Sequence, residues 1–378
     1  MIETVSKTSP LVTRLRERIK REGPMTFRDW MRSALYDPTN GYYCRTDLNR
    51  WGTAGDYRTS PERSSLFAAT FARYFGKLHH QLGKPPAWTV IEVGAGDGHF
   101  AEGTLQTFEK CFPDIFAATN YVLDEISPHS RALAARRLQR FGERVHFGKL
   151  DDSEINTGVV FANELLDAFP VHRVMLHHGE YKEFYVDVDD SGKFQWLLST
   201  PRAASLPRLC EYFETLGIQP HEGQVVEVNL EIEKWLRRVA LSLRNGFVIA
   251  VDYGASTEEL QSSAVAQSGT LRGFRRHRFV DDLLADPGEH DLTTTVNWSF
   301  VKAVGARLGF EVCEFERQDR FLLANGFLEQ LEVESGLAEN EAERLRLSSA
   351  AREMILPEGM AAHFQVLVVR HNSNFGGS

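Results

Sequence analysis

The sequence predicts an α/β fold, a mostly parallel sheet with helices on both faces. Three observations predict it. A β-branched run with Val90, Ile91 and Val93 enters a turn with glycines at alternate positions, Gly94, Gly96 and Gly98, and a helical pattern with Phe100, Leu105 and Phe108 follows. From Ala87 onward, strand-like and helix-like segments alternate. The chain then closes on a helix, residues 298–308, and two strand-like runs, 310–315 and 364–369, separated by a charge-rich helical stretch at 327–350.

Residues 1–82 read as largely helical. Residues 11–21 are basic and amphipathic, with Leu11, Leu15 and Ile19 at helical spacing. A mitochondrial transit peptide is one reading of such a segment. Glu3, Glu17 and Glu22 lie in or beside it, which favours an N-terminal helix of the folded domain and a cytoplasmic protein. Thr26 is placed to cap a helix whose apolar face is Phe27, Trp30, Met31 and Leu35. Asp37-Pro38-Thr39-Asn40-Gly41 is a turn signal. The polar loop 55–62 leads into a helix carrying Leu66, Phe67, Phe71, Phe75 and Leu78.

Strands are expected at 90–93, 121–125, 145–147, 159–162 and 247–251, with Ser127-Pro128 opening the helix after the second. Between the fourth and fifth, 171–176, 181–188 and 193–198 alternate in polarity and are bounded by turn residues, an antiparallel insert. An amphipathic helix over 230–243 leads back to the sheet.

Composition is that of an ordinary globular chain: 378 residues, 42% apolar and 25% charged. Net charge is −9, from 43 basic and 52 acidic residues, which argues against general nucleic-acid binding. Four scattered cysteines form no C-x-x-C pair and read as reduced thiols. No apolar run approaches a membrane span. The pairs His79-His80 and His177-His178 lack further ligands at metal-binding spacing, so no metal is assigned. Oligomeric state is left open.

The glycine spacing narrows the ligand. A dinucleotide fingerprint is G-x-G-x-x-G, and its third glycine would fall on His99. The alternate-glycine form, preceded on the strand by Glu92, is the one used by class I S-adenosylmethionine methyltransferases, in which the loop meets the amino-acid portion of the cofactor. A tight βα turn with no ligand is the bland alternative. The expected architecture is therefore a class I, Rossmann-like methyltransferase sheet. Residues 1–82 would form a helical region covering the cofactor site. Residues 83–378 would form the core, with antiparallel or helical inserts near 171–228 and 255–297 that face the substrate.

Several further stretches carry a resemblance: Gly23-Pro24-Met25-Thr26-Phe27 with Tyr36-Asp37-Pro38 and Gly41-Tyr42-Tyr43; Gly55-Asp56-Tyr57-Arg58-Thr59-Ser60-Pro61-Glu62; Glu125-Ile126-Ser127-Pro128; Asn163-Glu164-Leu165-Leu166-Asp167-Ala168-Phe169-Pro170-Val171; and Asp252-Tyr253-Gly254, followed by Arg272-Gly273-Phe274, His277, Pro287-Gly288 and Asp291-Leu292-Thr293. With these and the glycine loop, the sequence resembles the MidA-like family of S-adenosylmethionine-dependent methyltransferases over nearly its whole length. It departs from the family pattern at Arg63 and Asn297. The resemblance implies S-adenosylmethionine as cofactor and an arginine-bearing protein as substrate, because eukaryotic members of the family are mitochondrial complex I assembly factors that methylate arginine.

Residue roles follow. Glu125, at a strand's carboxyl end, can accept hydrogen bonds from both ribose hydroxyls. It is preferred to Asp124 because strand neighbours face opposite ways. Glu92, Gly94, Gly96 and Gly98 complete the cofactor loop. Asp152 is a candidate for the adenine side, with a solvated loop as the alternative. Asp56, Thr59 and Ser60 could close over the cofactor; the alternative is a capped loop, with Ser60 or Thr59 as N-cap of the next helix. Asn163, Glu164 and Asp167 would hold the acceptor and take up charge, Glu164 foremost. His277 sits among Arg272, Arg275, Arg276 and Arg278, where a surface basic patch is preferred to a proton relay. Such a patch could also meet an acidic partner. Two other readings compete with an enzyme of this class: a non-catalytic S-adenosylmethionine-binding assembly factor, and a nucleotide-dependent oxidoreductase, which His99 and the terminal strands disfavour.

Overall fold

Seven strands make the continuous path of the central sheet: β1 (Trp88–Val93), β2 (Thr119–Asp124), β3 (Val145–Phe147), β4 (Ile155–Asn163), β5 (Leu243–Ala255), β6 (Phe310–Arg317) and β7 (Phe364–Asn372). Their order is β6-β7-β5-β4-β1-β2-β3. β1 through β5 are parallel, while β7 runs antiparallel to both β5 and β6. The structure, a computed structural model, describes residues 9–48, 65–262, 267–276, 278–356 and 363–373.

The chain divides into two compact units. The larger takes its described residues from Arg58–Asp167, Glu233–Ala255 and Val301–Ser378. The smaller takes them from Met1–Tyr57, Ala168–Ile232 and Ser256–Phe300.

In the larger unit, period-two alternation sends each central strand's side chains to two faces. Ile249, Val251, Val366 and Val368 join one core with Phe71, Phe75, Phe100 and Phe161, beneath helices Ser65–Gln81 and His99–Cys111. Val248, Ala250, Leu367 and Val369 face the other way, towards Trp235 and Leu236 of helix Glu231–Ser242 and Val301 of helix Trp298–Arg307. Rings dominate the first core. Phe100 stacks on Phe161 with centroids 4.1 Å apart, and Phe71 lies 5.2 Å from both Phe161 and Phe321.

In the smaller unit, helix Pro10–Glu22 buries Leu11, Val12, Leu15 and Ile19. Thr26 caps helix Phe27–Tyr36 by accepting from the Asp29 amide at 3.2 Å. The insert is antiparallel, with Glu180–Val188 between His172–His177 and Met25–Thr26. Sequence reading stops at three insert strands. The structure adds helix Leu206–Leu216 and strand Val225–Val228, which pairs with His172–His177. The charge-rich stretch after β6 is also not one helix. It breaks at Ala338 into Phe327–Leu337 and Glu341–Ile355, the second capped by Asn340. Asn297, where the family pattern differs, accepts from the Phe300 amide at 3.1 Å and so caps the next helix.

Because Phe71 is fully buried among five other rings, Phe71→Ala should lower unfolding free energy by about 3–5 kcal/mol. A urea titration should show a lower midpoint at unchanged slope.

Candidate functional site

The parallel strands end at a common edge, and the candidate residues of the larger unit gather in the turns that leave it. Gly94, Gly96 and Gly98 all have positive φ, 74°, 56° and 84°, a region that side chains with a Cβ avoid. This is why the spacing is strict. A Cβ on Gly98 would lie 3.1 Å from Ala134 and 3.2 Å from Leu138 of helix Pro128–Leu138. Close packing thus falls on Gly98, and His99 is free to begin the helix. Gly98, the N-cap of helix His99–Cys111, has no side chain to cap the first turn, and Asp97 takes up the His99 amide. The remaining amides of that turn can meet an anionic ligand group such as the carboxylate of an amino-acid moiety. Left-handed glycines and a helix start without an N-cap side chain fit the amino-acid end of S-adenosylmethionine.

Two neighbouring carboxylates are used differently. Asp124 Oδ2 accepts from the Leu150 amide at 2.8 Å, which pins the turn after β3. Burial pushes its pKa up, against the pull of that amide. Glu125 Oε2 accepts from the Gly96 amide and Oε1 from the Ser127 amide, both at 2.7 Å. Glu125 therefore clamps the glycine loop to the start of the next helix. Each carboxylate oxygen can accept more than one hydrogen bond, so the clamp leaves capacity for a diol. Ile126 beside it is 59% exposed, a large apolar side chain at the sheet's polar edge.

Glu92 lies beneath the loop, buried, and accepts from the Tyr121 hydroxyl at 2.8 Å. Burial pushes its carboxyl up to about 8. The Tyr121 hydrogen bond opposes the rise, and the charges of Glu125 and Asp97 add to it. Burial and Glu92 in turn raise the Tyr121 hydroxyl well above its ordinary value. Asp97 behaves oppositely. Burial alone would raise it, but the His99 ring at 2.6 Å and the Arg137 guanidinium at 3.2 Å leave it below the usual range.

The turn after β4 is the most constrained segment. Glu164 is not glycine yet has φ 51°, a backbone costing on the order of 1–3 kcal/mol that its surroundings must enforce. The Glu164 amide donates to the Val251 carbonyl of β5 at 2.9 Å. Asp252 Oδ2 accepts from the amides of Leu165, Leu166 and Asp167 at 3.2, 2.9 and 3.3 Å. Its Oδ1 accepts from the Tyr253 amide at 2.9 Å. Asp252 is buried, and burial together with the negative charges of Asp167 and Glu164 raises its pKa well above the carboxylate norm. Asn163 Nδ2 donates to Glu164 Oε1 at 3.1 Å, while Asn163 Oδ1 is buried with no hydrogen-bond partner among the described residues.

The structure thus gathers Glu92, Gly94, Gly96, Gly98 and Glu125 around one loop, and Asn163, Glu164 and Asp167 around another. Asp152 is exposed in a single helical turn after β3. Asp56, Thr59, Ser60 and His277 lie outside the described residues. Sequence reading missed Asp252 as the anchor of the Glu164 turn and Asp124 as an anchor of its own. Both stand at strand ends, which was legible, but their partners come from another strand's turn.

A family model described as "Putative S-adenosyl-L-methionine-dependent methyltransferase" matches residues 70–316. A mouse protein named "Protein arginine methyltransferase NDUFAF7, mitochondrial" is 27% identical over 401 aligned residues, covering 99% of this chain and 87% of that one. Its Drosophila melanogaster homologue is 27% identical, covering 80% of this chain and 71% of that one. A protein from Burkholderia thailandensis, solved bound to S-adenosyl-homocysteine, superposes with TM-score 0.82 at 29% identity and covers 96% of this chain and 92% of that chain. These findings support a methyltransferase against the oxidoreductase reading. They overturn the expectation of a cytoplasmic protein, because the mouse and fly relatives are both named mitochondrial. The acidic residues near the N-terminal helix were a poor guide, since a stably folded first helix says nothing about the compartment.

Glu92 yields a pH test. Its folded pKa of about 8 exceeds the ordinary 4.5, so its contribution to stability is fully present below 4.5 and is lost as pH rises towards 8. Glu92→Gln removes the ionisation. Its melting temperature relative to the native chain should therefore rise between about pH 5 and about pH 9, by an amount reflecting a few kcal/mol. Parallel melts at the two pH values check this.

Proposed function

The chain belongs to this family of S-adenosylmethionine-dependent methyltransferases, and from that premise we propose that its methyl acceptor is an arginine side chain of a protein. The observation that carries the proposal is the Asn163–Asp167 turn, held in a strained conformation with two carboxylates and an amide oxygen that has no partner among the described residues. The relatives named protein arginine methyltransferases support the same reading.

S-adenosylmethionine, when bound, supplies a methyl group already activated by its sulfonium. The protein's work is positioning and removal of water. The left-handed glycine loop and the helix start at Gly98 receive the amino-acid end. Glu125 accepts from the ribose hydroxyls while it holds the loop, and Ile126 offers an apolar surface to the base. A guanidinium is cationic at any physiological pH and presents N–H donors in a planar fork. Glu164 and Asp167 orient it by charge-assisted hydrogen bonds, and Asn163 Oδ1 accepts a further N–H. As a nitrogen gains the methyl group, a guanidinium proton must leave, and Glu164 is the group that receives it. Asp252 takes no part in that transfer. It fixes the turn on which Glu164 stands.

The test uses tritiated-methyl S-adenosylmethionine and a protein extract from cells lacking this gene, followed by acid hydrolysis and chromatography of the amino acids. Label should appear in methylarginine. Glu164→Gln should lower the rate by about a hundredfold or more with cofactor affinity nearly unchanged by calorimetry. Glu125→Ala should weaken cofactor binding about tenfold or more, as expected when a charge-assisted pair of hydrogen bonds is lost. Label in another amino acid, or equal label with Glu164→Gln, would overturn the assignment.

A further inference from the structure

We propose that the paired strands Arg272–Arg275 and Arg278–Phe279 in the smaller unit are a docking element for an acidic segment of a protein partner. Strand Arg272–Arg275 pairs with the short edge strand Arg278–Phe279 on one side and with Asp291–Thr293 on the other. Its first end is fixed. A Cβ on Gly273 would lie 2.8 Å from Leu283 and 3.3 Å from His290, and the Val280 amide donates to the Gly273 carbonyl at 2.9 Å. A side chain at 273 has no room, so this end of the strand sits tightly on its own unit.

The outer ladder breaks the rules that stabilise paired strands. Arg275 stands directly across from Arg278, and like charges facing each other across a ladder repel. Arg276 has φ 49°, a position where asparagine or glycine is favoured. Phe279 is 69% exposed on the edge strand, with its ring 4.8 Å from that of Phe274. Arg272, Arg275, Arg276 and Arg278 are all exposed. Glu289 reaches Arg275 only at 3.6 Å, and Arg278 has no ion pair among the described residues. Local choices that oppose the fold, gathered at one point, mark a place kept for something other than stability.

The charge pattern selects the partner. The chain carries −9 overall, so a long polyanion approaching these strands meets repulsion from the rest of the molecule. A short acidic segment meets mainly the four arginines, with Glu289 beside Arg275 as the nearest opposing charge. The two phenylalanines add an apolar contact that suits aliphatic residues interleaved with the acids. The surface is independent of which side chain is methylated.

Fluorescence anisotropy with a labelled peptide of alternating glutamate and leucine, against the full chain, tests the proposal. The glutamine-for-glutamate peptide is the control. The acidic peptide should bind and the control should not. Arg275→Gln with Arg278→Gln should weaken binding about tenfold, and Phe279→Ser should weaken it separately. The double variant should melt no lower than the native chain, since it removes a repulsion, and should bind S-adenosylmethionine unchanged, which shows it is folded. No binding of the acidic peptide by the native chain would overturn the proposal. So would binding that the double variant leaves intact. Arginine-dependent binding of a single-stranded oligonucleotide or of phosphatidylserine vesicles, with none of the peptide, would also overturn it in favour of those ligands.

Discussion

Where parallel strands stop, their ladder stops too, and the amides of the following turns lose their natural partners. In the larger unit carboxylates take up several of them, and each reaches from one strand's end into another strand's turn. Asp124 serves the turn after β3, Glu125 the loop after β1, and Asp252 the turn after β4. A buried amide left without an acceptor costs about 1–3 kcal/mol, so each contact stabilises the fold. Together they also fix the relative positions of three otherwise separate loops. The geometry of the cofactor loop and of the Asn163–Asp167 turn follows from this cross-bracing.

The same arrangement sets the electrostatics. Burial raises the carboxyls of Glu92 and Asp252, and the neighbouring carboxylates crowded at the same sheet edge add to the rise. A cationic ligand or acceptor beside such groups favours their ionised form, so the edge suits both. S-adenosylmethionine carries a sulfonium and arginine a guanidinium. Bringing two positive species together is opposed by their own repulsion, which an acidic edge relieves. The left-handed backbone of Glu164 has a clear physical cause as well. Four amides of that turn donate to the Val251 carbonyl and the Asp252 carboxylate, and its residues have no freedom to relax.

Much of the fold was legible because it rests on local signals. Val90 to Val93 with the alternate glycines, Ser127-Pro128 and the terminal strands gave the sheet, and Thr26 gave a helix start. The residues around 206–228 were not legible. Their short helix and four-residue strand lack a long periodic pattern, and the strand is defined by the partner it pairs with. At the site, positions at strand ends could be read but hydrogen bonds could not. Glu125 was read as a ribose partner, and nothing near it in sequence shows that Gly96 also binds it. Asp252 and the turn it holds are far apart along the chain, so their contact is visible only once β4 and β5 lie side by side. The compartment was misread because acidic residues beside the first helix carry no information about where the chain is sent.

β7 has an unusual place in this sheet. It is the most C-terminal strand described, yet it lies between β5 and β6 and not at a margin. β5 likewise reaches β4 only after the whole 168–232 insert has been made. During synthesis β4 and then β5 each wait with an open, strongly apolar edge, the kind of surface that pairs with other nascent chains. The order of translation thus runs against the order of the sheet. A chain cut short before residue 364 forfeits an interior strand, and with it the support for β6 and the closing neighbour of the strand that carries Asp252.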